Sequence, residues 1–320
     1  MLEKTFAMVK DLAPGEYISD ELRVYDEDEV RELAQLLNSI MYSPSQLRRA
    51  LQRLGVTLVP ANFYSPVPML DDVEASFRGP SLQLDRIFTD AVLREKLESM
   101  VPFADEFAPV MSTAPGAFRW DGPFSHADAP AYYAMIRSHK PRTVLEIGSG
   151  ASTIVALTAT DRNGHGRVVC IEPLANDYLD SLKHRIEWRR MRAQELEIDW
   201  LNDTLQDGDF LFIDSTHTVK HDSDCIHLYL RLLPALRRRI FVHAHDIHLP
   251  NTQRLRPLRD LHIYWTEQYL LYAYLLGNAR TEVVYSSEWH DMHNHGRLTR
   301  FVNGKTVPGG GSLWFSQAPE

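Results

Sequence analysis

A chain of 320 residues with 44% apolar and 24% charged residues is ordinary globular material, enough for one large domain or one domain with an extension, and it is not a disordered polymer. The net charge of −9 excludes a general nucleic-acid binder, because phosphate affinity rests on clustered Lys and Arg. The densest basic run, Arg237, Arg238 and Arg239, is short, lies between apolar stretches and reads as a solvated corner.

Residues 1–4 lack a basic stretch leading into an apolar core, and no apolar run is long enough for a bilayer. No membrane role is therefore expected, and a cytoplasmic location follows by default. Residues 1–125 read as a mainly helical N-terminal cap region. Helical periodicity covers residues 28–37, a Ser43-Pro44 pair opens a helix over 43–54, and a further stretch over 82–107 is expected to break near Pro102. Irregular aromatic loops interrupt these helices at 62–68 and 118–124. Tyr64 and Trp120 on those loops are candidates for closing over a ligand, with core packing equally open.

Residues 126–320 read as an α/β domain. Short apolar runs at 143–147, 167–171, 209–213 and 239–243 alternate with helical stretches, the signature of a parallel sheet covered on both faces. A weaker strand is expected at 189–193. After a helix at 266–276, runs at 281–285 and 311–315 suit an antiparallel pair at the sheet edge. Cys170 and Cys225 lie inside apolar stretches and read as buried thiols. The tract from His290 to His295 reads as a polar exposed loop, and Gly309, Gly310 and Gly311 as a flexible turn.

The first strand runs into Glu146, Ile147, Gly148, Ser149 and Gly150 and then into a helix. Gly148 and Gly150 leave room for a bulky ligand at the strand's end. A third glycine, wanted at Thr153 for a dinucleotide pyrophosphate, is absent. Glu146 is expected to turn negative charge toward the cleft, repelling phosphate and attracting an ammonium group. S-adenosylmethionine carries both an ammonium and a sulfonium, so it suits such a site. Glu172, at the end of the second strand, is placed to accept hydrogen bonds from two ribose hydroxyls.

Four stretches make residues 118–276 resemble the class I S-adenosylmethionine-dependent methyltransferases, closest to a bacterial subgroup of small-molecule biosynthesis. They are Leu145-Glu146-Ile147-Gly148-Ser149-Gly150, Phe212-Ile213-Asp214-Ser215-Thr216-His217, Val242-His243-Ala244-His245-Asp246-Ile247-His248-Leu249-Pro250 and Trp265-Thr266-Glu267-Gln268-Tyr269-Leu270-Leu271. Phe63-Tyr64-Ser65-Pro66 is also similar to that subgroup, whereas His248 departs from the aromatic or aliphatic residue expected there. The resemblance implies a Rossmann-like, seven-stranded, mostly parallel sheet with helices on both faces. It places the cofactor over the first two strands, in contact with Glu146, Gly148, Ser149, Gly150, Glu172, Asp214 and Ser215. It also puts Gln194 or Glu195 near the adenine, and it implies a small-molecule acceptor and a homodimer.

Asp214 and Asp246 end the fourth and fifth strands, where this topology has them flank the cleft. With His217 and His245 they form a set suited to acid–base work. An imidazole oriented by a carboxylate would take the proton that a hydroxyl loses as it attacks the methyl carbon. The same set can hold a divalent cation, a choice disfavoured because the second strand end lacks an adjacent carboxylate or Asn. O-methylation ranks ahead of N-methylation. The rivals are an enzyme that cyclises the cofactor's aminobutyrate chain and a non-catalytic nucleoside-binding protein.

Overall fold

The computed structural model describes residues 27–80, 82–109 and 116–319. The reading of residues 1–4, like the rest of 1–26, lies outside them. The chain divides into two compact units, Met1–Ser81 with Gln253–Tyr264 and Leu82–Thr252 with Trp265–Glu320. The smaller unit runs to Ser81, and in the larger unit the helix Asp90–Glu106 packs on the helix Asp128–His139.

In the smaller unit, helices Glu27–Met41 and Ser45–Arg53 realise the two periodic stretches, the second opening just after Pro44. Helix Leu70–Ser76 packs against helix Leu255–Asp260.

The larger unit is built on seven strands: β1 Thr143–Ile147, β2 Arg167–Ile171, β3 Glu187–Arg189, β4 Phe210–Ile213, β5 Ile240–Ala244, β6 Thr281–Ser286 and β7 Leu313–Gln317. Their order across the sheet is β3-β2-β1-β4-β5-β7-β6. The first five are parallel, and β7 runs antiparallel between β5 and β6. Leu145 pairs with Val169 on one side and Leu211 on the other.

Side-chain alternation divides the core into two layers. Val144, Val168, Phe210 and Phe212 pack with the helices Asp128–His139 and Ala151–Asn163. Leu145, Ile147, Val169, Leu211 and Ile213 pack on the opposite face with Leu201, Leu228 and Leu271. Each such side chain, taken fully out of water, stabilises the fold by about 1.5–3 kcal/mol.

Several local expectations are corrected. Pro102 lies inside the helix Asp90–Glu106 and does not break it, since Leu93, Leu97, Met100 and Ala104 hold a continuous buried face. The third strand is Glu187–Arg189, and residues 193–195 instead form a 3-10 turn. β6 and β7 do pair, but two helices, Ser287–His293 and His295–Val302, intervene. The histidine tract is thus helical, with His290 fully buried beside Trp289. Gly309, Gly310 and Gly311 form a fitted turn, not a loose one: a Cβ on Gly310 would lie 2.3 Å from an Asp128 oxygen.

Candidate active site

The C-terminal ends of β1, β2, β4 and β5 lie side by side, so Gly148, Glu172, Asp214 and His245 are brought to one edge of the sheet. Gly148 has φ +80°, and a Cβ there would sit 1.8 Å from the Asp214 carbonyl oxygen. Only glycine permits this close approach of the β1 loop to the end of β4. Beyond it, a Cβ on Gly150 would meet nothing nearer than the Tyr178 ring at 3.8 Å, so the outer side of the turn is open. Gly150 caps the helix Ala151–Asn163 without a side-chain hydrogen bond, and the Thr153 N–H turns back to the Gly150 carbonyl at 3.2 Å.

Glu146 requires a correction. It is fully buried on the layer facing the helices, where Tyr132 Oη (2.9 Å) and Thr153 Oγ1 (2.5 Å) donate to its carboxylate. Burial, working against those hydrogen bonds, pushes its pKa up to about 7. It therefore ties the helix to the strand beneath the glycine turn and does not present charge to the cleft. Glu172 is half-buried at the end of β2, with Oε1 accepting from Leu174 N at 2.9 Å. The fit to S-adenosylmethionine thus rests on the open turn, Glu172 for a ribose and the carboxylates described next.

Gln194 donates to the Asp222 carbonyl, and Glu195 accepts from Arg192 N to close its own turn. Ser149 is buried within the glycine turn, and Ser215 lies next to Asp214 with its hydroxyl 3.7 Å from Cys225 Sγ. Trp120 packs edge-on against Phe107 and Phe118 and is a core-packing ring in the larger unit. Tyr64 belongs to the smaller unit, where it is exposed beside Phe63.

The four residues proposed for chemistry do come together. His217 Nε2 donates to Asp214 Oδ1 at 3.2 Å and lies 3.6 Å from Asp246 Oδ2. His245 Nδ1 faces Asp214 Oδ1 at 3.4 Å and Asp246 Oδ1 at 3.7 Å. Alternation alone would send Asp246 to the opposite face from His245. It returns to the cluster because β5 has ended at Ala244 and Asp246 adopts a left-handed φ of 55°. His217 is also left-handed, at φ 56°. Two non-glycine residues in this conformation, each costing of order 1–2 kcal/mol, are the kind of strain found at functional sites.

Both imidazoles are buried, while the carboxylates of Asp214 and Asp246 are each about one-third exposed, at 33% and 34%. His217 Nδ1 donates to Glu267 Oε2 at 2.8 Å, and Tyr229 Oη donates to Glu267 Oε1 at 2.6 Å. His245 Nε2 donates to Asp128 Oδ2 at 3.3 Å. Burial opposes charge on His217, but hydrogen bonds to Asp214 and Glu267 overcome it and push its pKa up to about 10. Burial likewise opposes charge on His245, and the charges of Asp214 and Asp246 raise it well above the usual imidazole range. Asp214, despite burial, is held below the carboxylate range by His245 and His217.

With both raised, His217 and His245 favour the protonated form near neutral pH. Glu267 and Asp128, which the sequence did not single out, are the buried carboxylates that hold these two imidazoles from behind. His243 is buried, stacked on Trp314 and bonded to Ser312, in keeping with a structural role. Asp214, His217 and Asp246 also offer ligand atoms within 4.8 Å of one another, compact enough for a metal ion.

The strand order and the glycine turn at the end of β1 are those of a Rossmann-like, mostly parallel seven-stranded sheet. Residues 145–247, about a third of the chain, match the family model Methyltransf_24, described as a methyltransferase domain. An uncharacterized protein of Archaeoglobus fulgidus is 28% identical over 144 residues, which cover 40% of this chain. The match spans 63% of that relative's length. Solved structures similar to the chain include a putative O-methyltransferase from Klebsiella pneumoniae, 15% identical, covering 73% of this chain and 92% of that one at a TM-score of 0.37. The plantazolicin methyltransferase BpumL in complex with SAH is 12% identical, covering 91% and 98% at a TM-score of 0.39. These two likenesses are too distant to argue from. No helix among the described residues is long and apolar enough to cross a membrane.

Proposed function

We propose that the chain transfers a methyl group from S-adenosylmethionine to a hydroxyl of a small molecule in a biosynthetic pathway, with an amine as the second choice of acceptor. The observation that carries the proposal is the pair of partly exposed carboxylates, Asp214 and Asp246, each backed by buried, protonated imidazoles at the mouth of the glycine turn. When bound, the cofactor supplies an electrophilic methyl on a sulfonium. Glu172 accepts from the ribose hydroxyls, and Gly148, Ser149 and Gly150 pass beneath the nucleoside. Gln194 or Glu195 borders the adenine.

Asp214 and Asp246 accept the hydrogen bond of the incoming hydroxyl and align its oxygen, and Asp246, whose imidazole contacts are the longer ones at 3.6 and 3.7 Å, takes its proton as the new O–C bond forms and S-adenosylhomocysteine leaves. His217 and His245 hold the two carboxylates in place. Positioning contributes more than proton transfer, since displacement at a methyl carbon needs alignment above all. A cap role for residues 1–125, Tyr64 included, and a homodimer are part of the same proposal.

The test is product analysis after incubation with S-adenosylmethionine and a panel of small phenols, alcohols and amines. S-adenosylhomocysteine together with a methylated phenol or alcohol is the expected result. Methylthioadenosine would mean attack on the aminobutyrate chain, and binding without any product would mean a nucleoside-binding protein; either outcome overturns the proposal.

A further inference from the structure

Asp128 is the first residue of the helix Asp128–His139, and its carboxylate is buried at 4% exposure. Four donors converge on it. Gly311 N and His245 Nε2 donate to Oδ2 at 2.8 and 3.3 Å, and Ser312 N and Ser287 Oγ donate to Oδ1 at 3.0 and 2.7 Å. Burial works against its charge, yet the bonds from His245, Gly311 and Ser287 hold its pKa down at about 2. A carboxylate so fully satisfied is both fixed in direction and permanently ionised. Gly310 closes over it where no side chain fits, and a Cβ on Gly311 would lie 2.9 Å from Asp246 Cα. One turn of chain therefore registers Asp128 against the strand end that carries Asp246.

The imidazole of His245 is gripped from behind by this carboxylate. The rings of Phe124 and Phe212 stand beside it, with centroids at 4.9 and 6.1 Å. Its other nitrogen faces Asp214 and Asp246. An imidazole with one carboxylate behind and two in front is committed to one ring orientation only if the rear partner fixes which nitrogen points where.

We propose that Asp128 is a positioning residue for the methyl transfer: it holds Nε2 of His245 as a proton donor, so that Nδ1 stays turned toward Asp214 and Asp246. The role rests on the methyl-transfer reading of the preceding section. It acts through His245 and places Asp128 out of contact with either substrate. In Asp128→Asn the amide oxygen can still accept from Ser312 N and Ser287 Oγ, but its NH2 group confronts both His245 Nε2–H and Gly311 N–H, and the ring loses its reason to keep that orientation.

Asp128→Asn is expected to lower kcat for S-adenosylhomocysteine release by about 100-fold, in line with misplacement of the carboxylates that align the acceptor. The Kd for S-adenosylmethionine, read by calorimetry, should change less than about threefold. In a His245→Gln background the same substitution should cost nothing further, because residues acting as a unit are non-additive. A full additional loss there, or a fall in cofactor affinity matching the fall in kcat, makes Asp128 merely structural and overturns the role.

Nitrogen-15 NMR of histidine-labelled wild-type protein keeps the proposal testable even if Asp128→Asn fails to fold. The His245 signals, identified by their absence in His245→Gln, should show a protonated Nε2, and an unprotonated Nε2 overturns the proposal. An active enzyme with unprotonated Nε2 removes only the role of Asp128, whereas a wild type that releases no S-adenosylhomocysteine removes the methyl-transfer reading and this role with it.

Discussion

Replacing Glu267 by Gln removes the buried partner of His217 while leaving the volume almost unchanged. In the wild type that partner, with Asp214, lifts the His217 pKa from 6.5 to about 10. Each unit is worth about 1.4 kcal/mol, so the preference of the folded state for protonated His217 is at most about 5 kcal/mol. Glu267 shares this with Asp214, and its own contribution is on the order of 2–3 kcal/mol. Because the folded value lies above the unfolded one, this stabilisation is complete below about pH 6.5 and drains away as the pH climbs through 10. The variant should therefore lie about 2–3 kcal/mol below the wild type at pH 6, with the gap closing steadily toward pH 10. Urea denaturation at a series of pH values measures it. Fluorescence is a suitable probe, since the Trp265 ring lies 4.5 Å from His217. A gap that is the same at pH 6 and pH 9.5 would mean that Glu267 merely fills space, and the electrostatic account of the cluster would be refuted.

Gly148→Ala should destabilise by about 3 kcal/mol, combining a left-handed alanine with an overpacked contact; a loss under about 1 kcal/mol in the same denaturation assay would contradict the close approach to Asp214. Glu146→Gln should gain stability relative to the wild type as the pH rises from 4.5 through about 7, because the buried acid resists ionisation there; melting temperatures of both proteins at pH 5 and pH 8 decide it. Dialysis against a chelator should leave turnover unchanged, and loss of activity restored by magnesium would assign the cluster of Asp214, His217 and Asp246 to a cation.

Much of the fold could be read directly. β1 and β2 match the expected runs residue for residue, because apart from Arg167 every position is buried and the residues are apolar but for Thr143 and Glu146. β3 was misplaced: all three of its residues, Glu187, Trp188 and Arg189, are only half-buried at the sheet edge, so the apolar signature is missing. The two strand-end aspartates and their histidines were legible from spacing, whereas their protonation was not. That depends on Glu267 and Asp128, which lie 50 and 117 positions from the histidines they hold. A signal for each did exist. Glu267 and Gln268 open a helix that is apolar in its remaining residues, and Asp128 precedes a stretch, 129–136, that is buried throughout. The first eight residues after Asp128 are interior, and an acid at the start of such a run is buried with it, whereas the helix of Glu267 buries only one side, on which Glu267 lies with Leu271 and Leu275. Glu146 misled for the converse reason: its carboxylate faces the helical layer, and the motif does not say which way the side chain points.

The position of β7 sets the order in which the protein can become functional. Residues 313–317 are synthesised after every other strand, yet they lie between β5 and β6. Until they leave the ribosome, β5 has a bare edge and β6 has no neighbour in the sheet, a state prone to association with other chains. The turn that grips Asp128 immediately precedes β7, so the same late segment also completes the histidine cluster. Nascent chains that stall short of this segment should be both inactive and sticky, which makes the arrangement a safeguard against half-made catalysts.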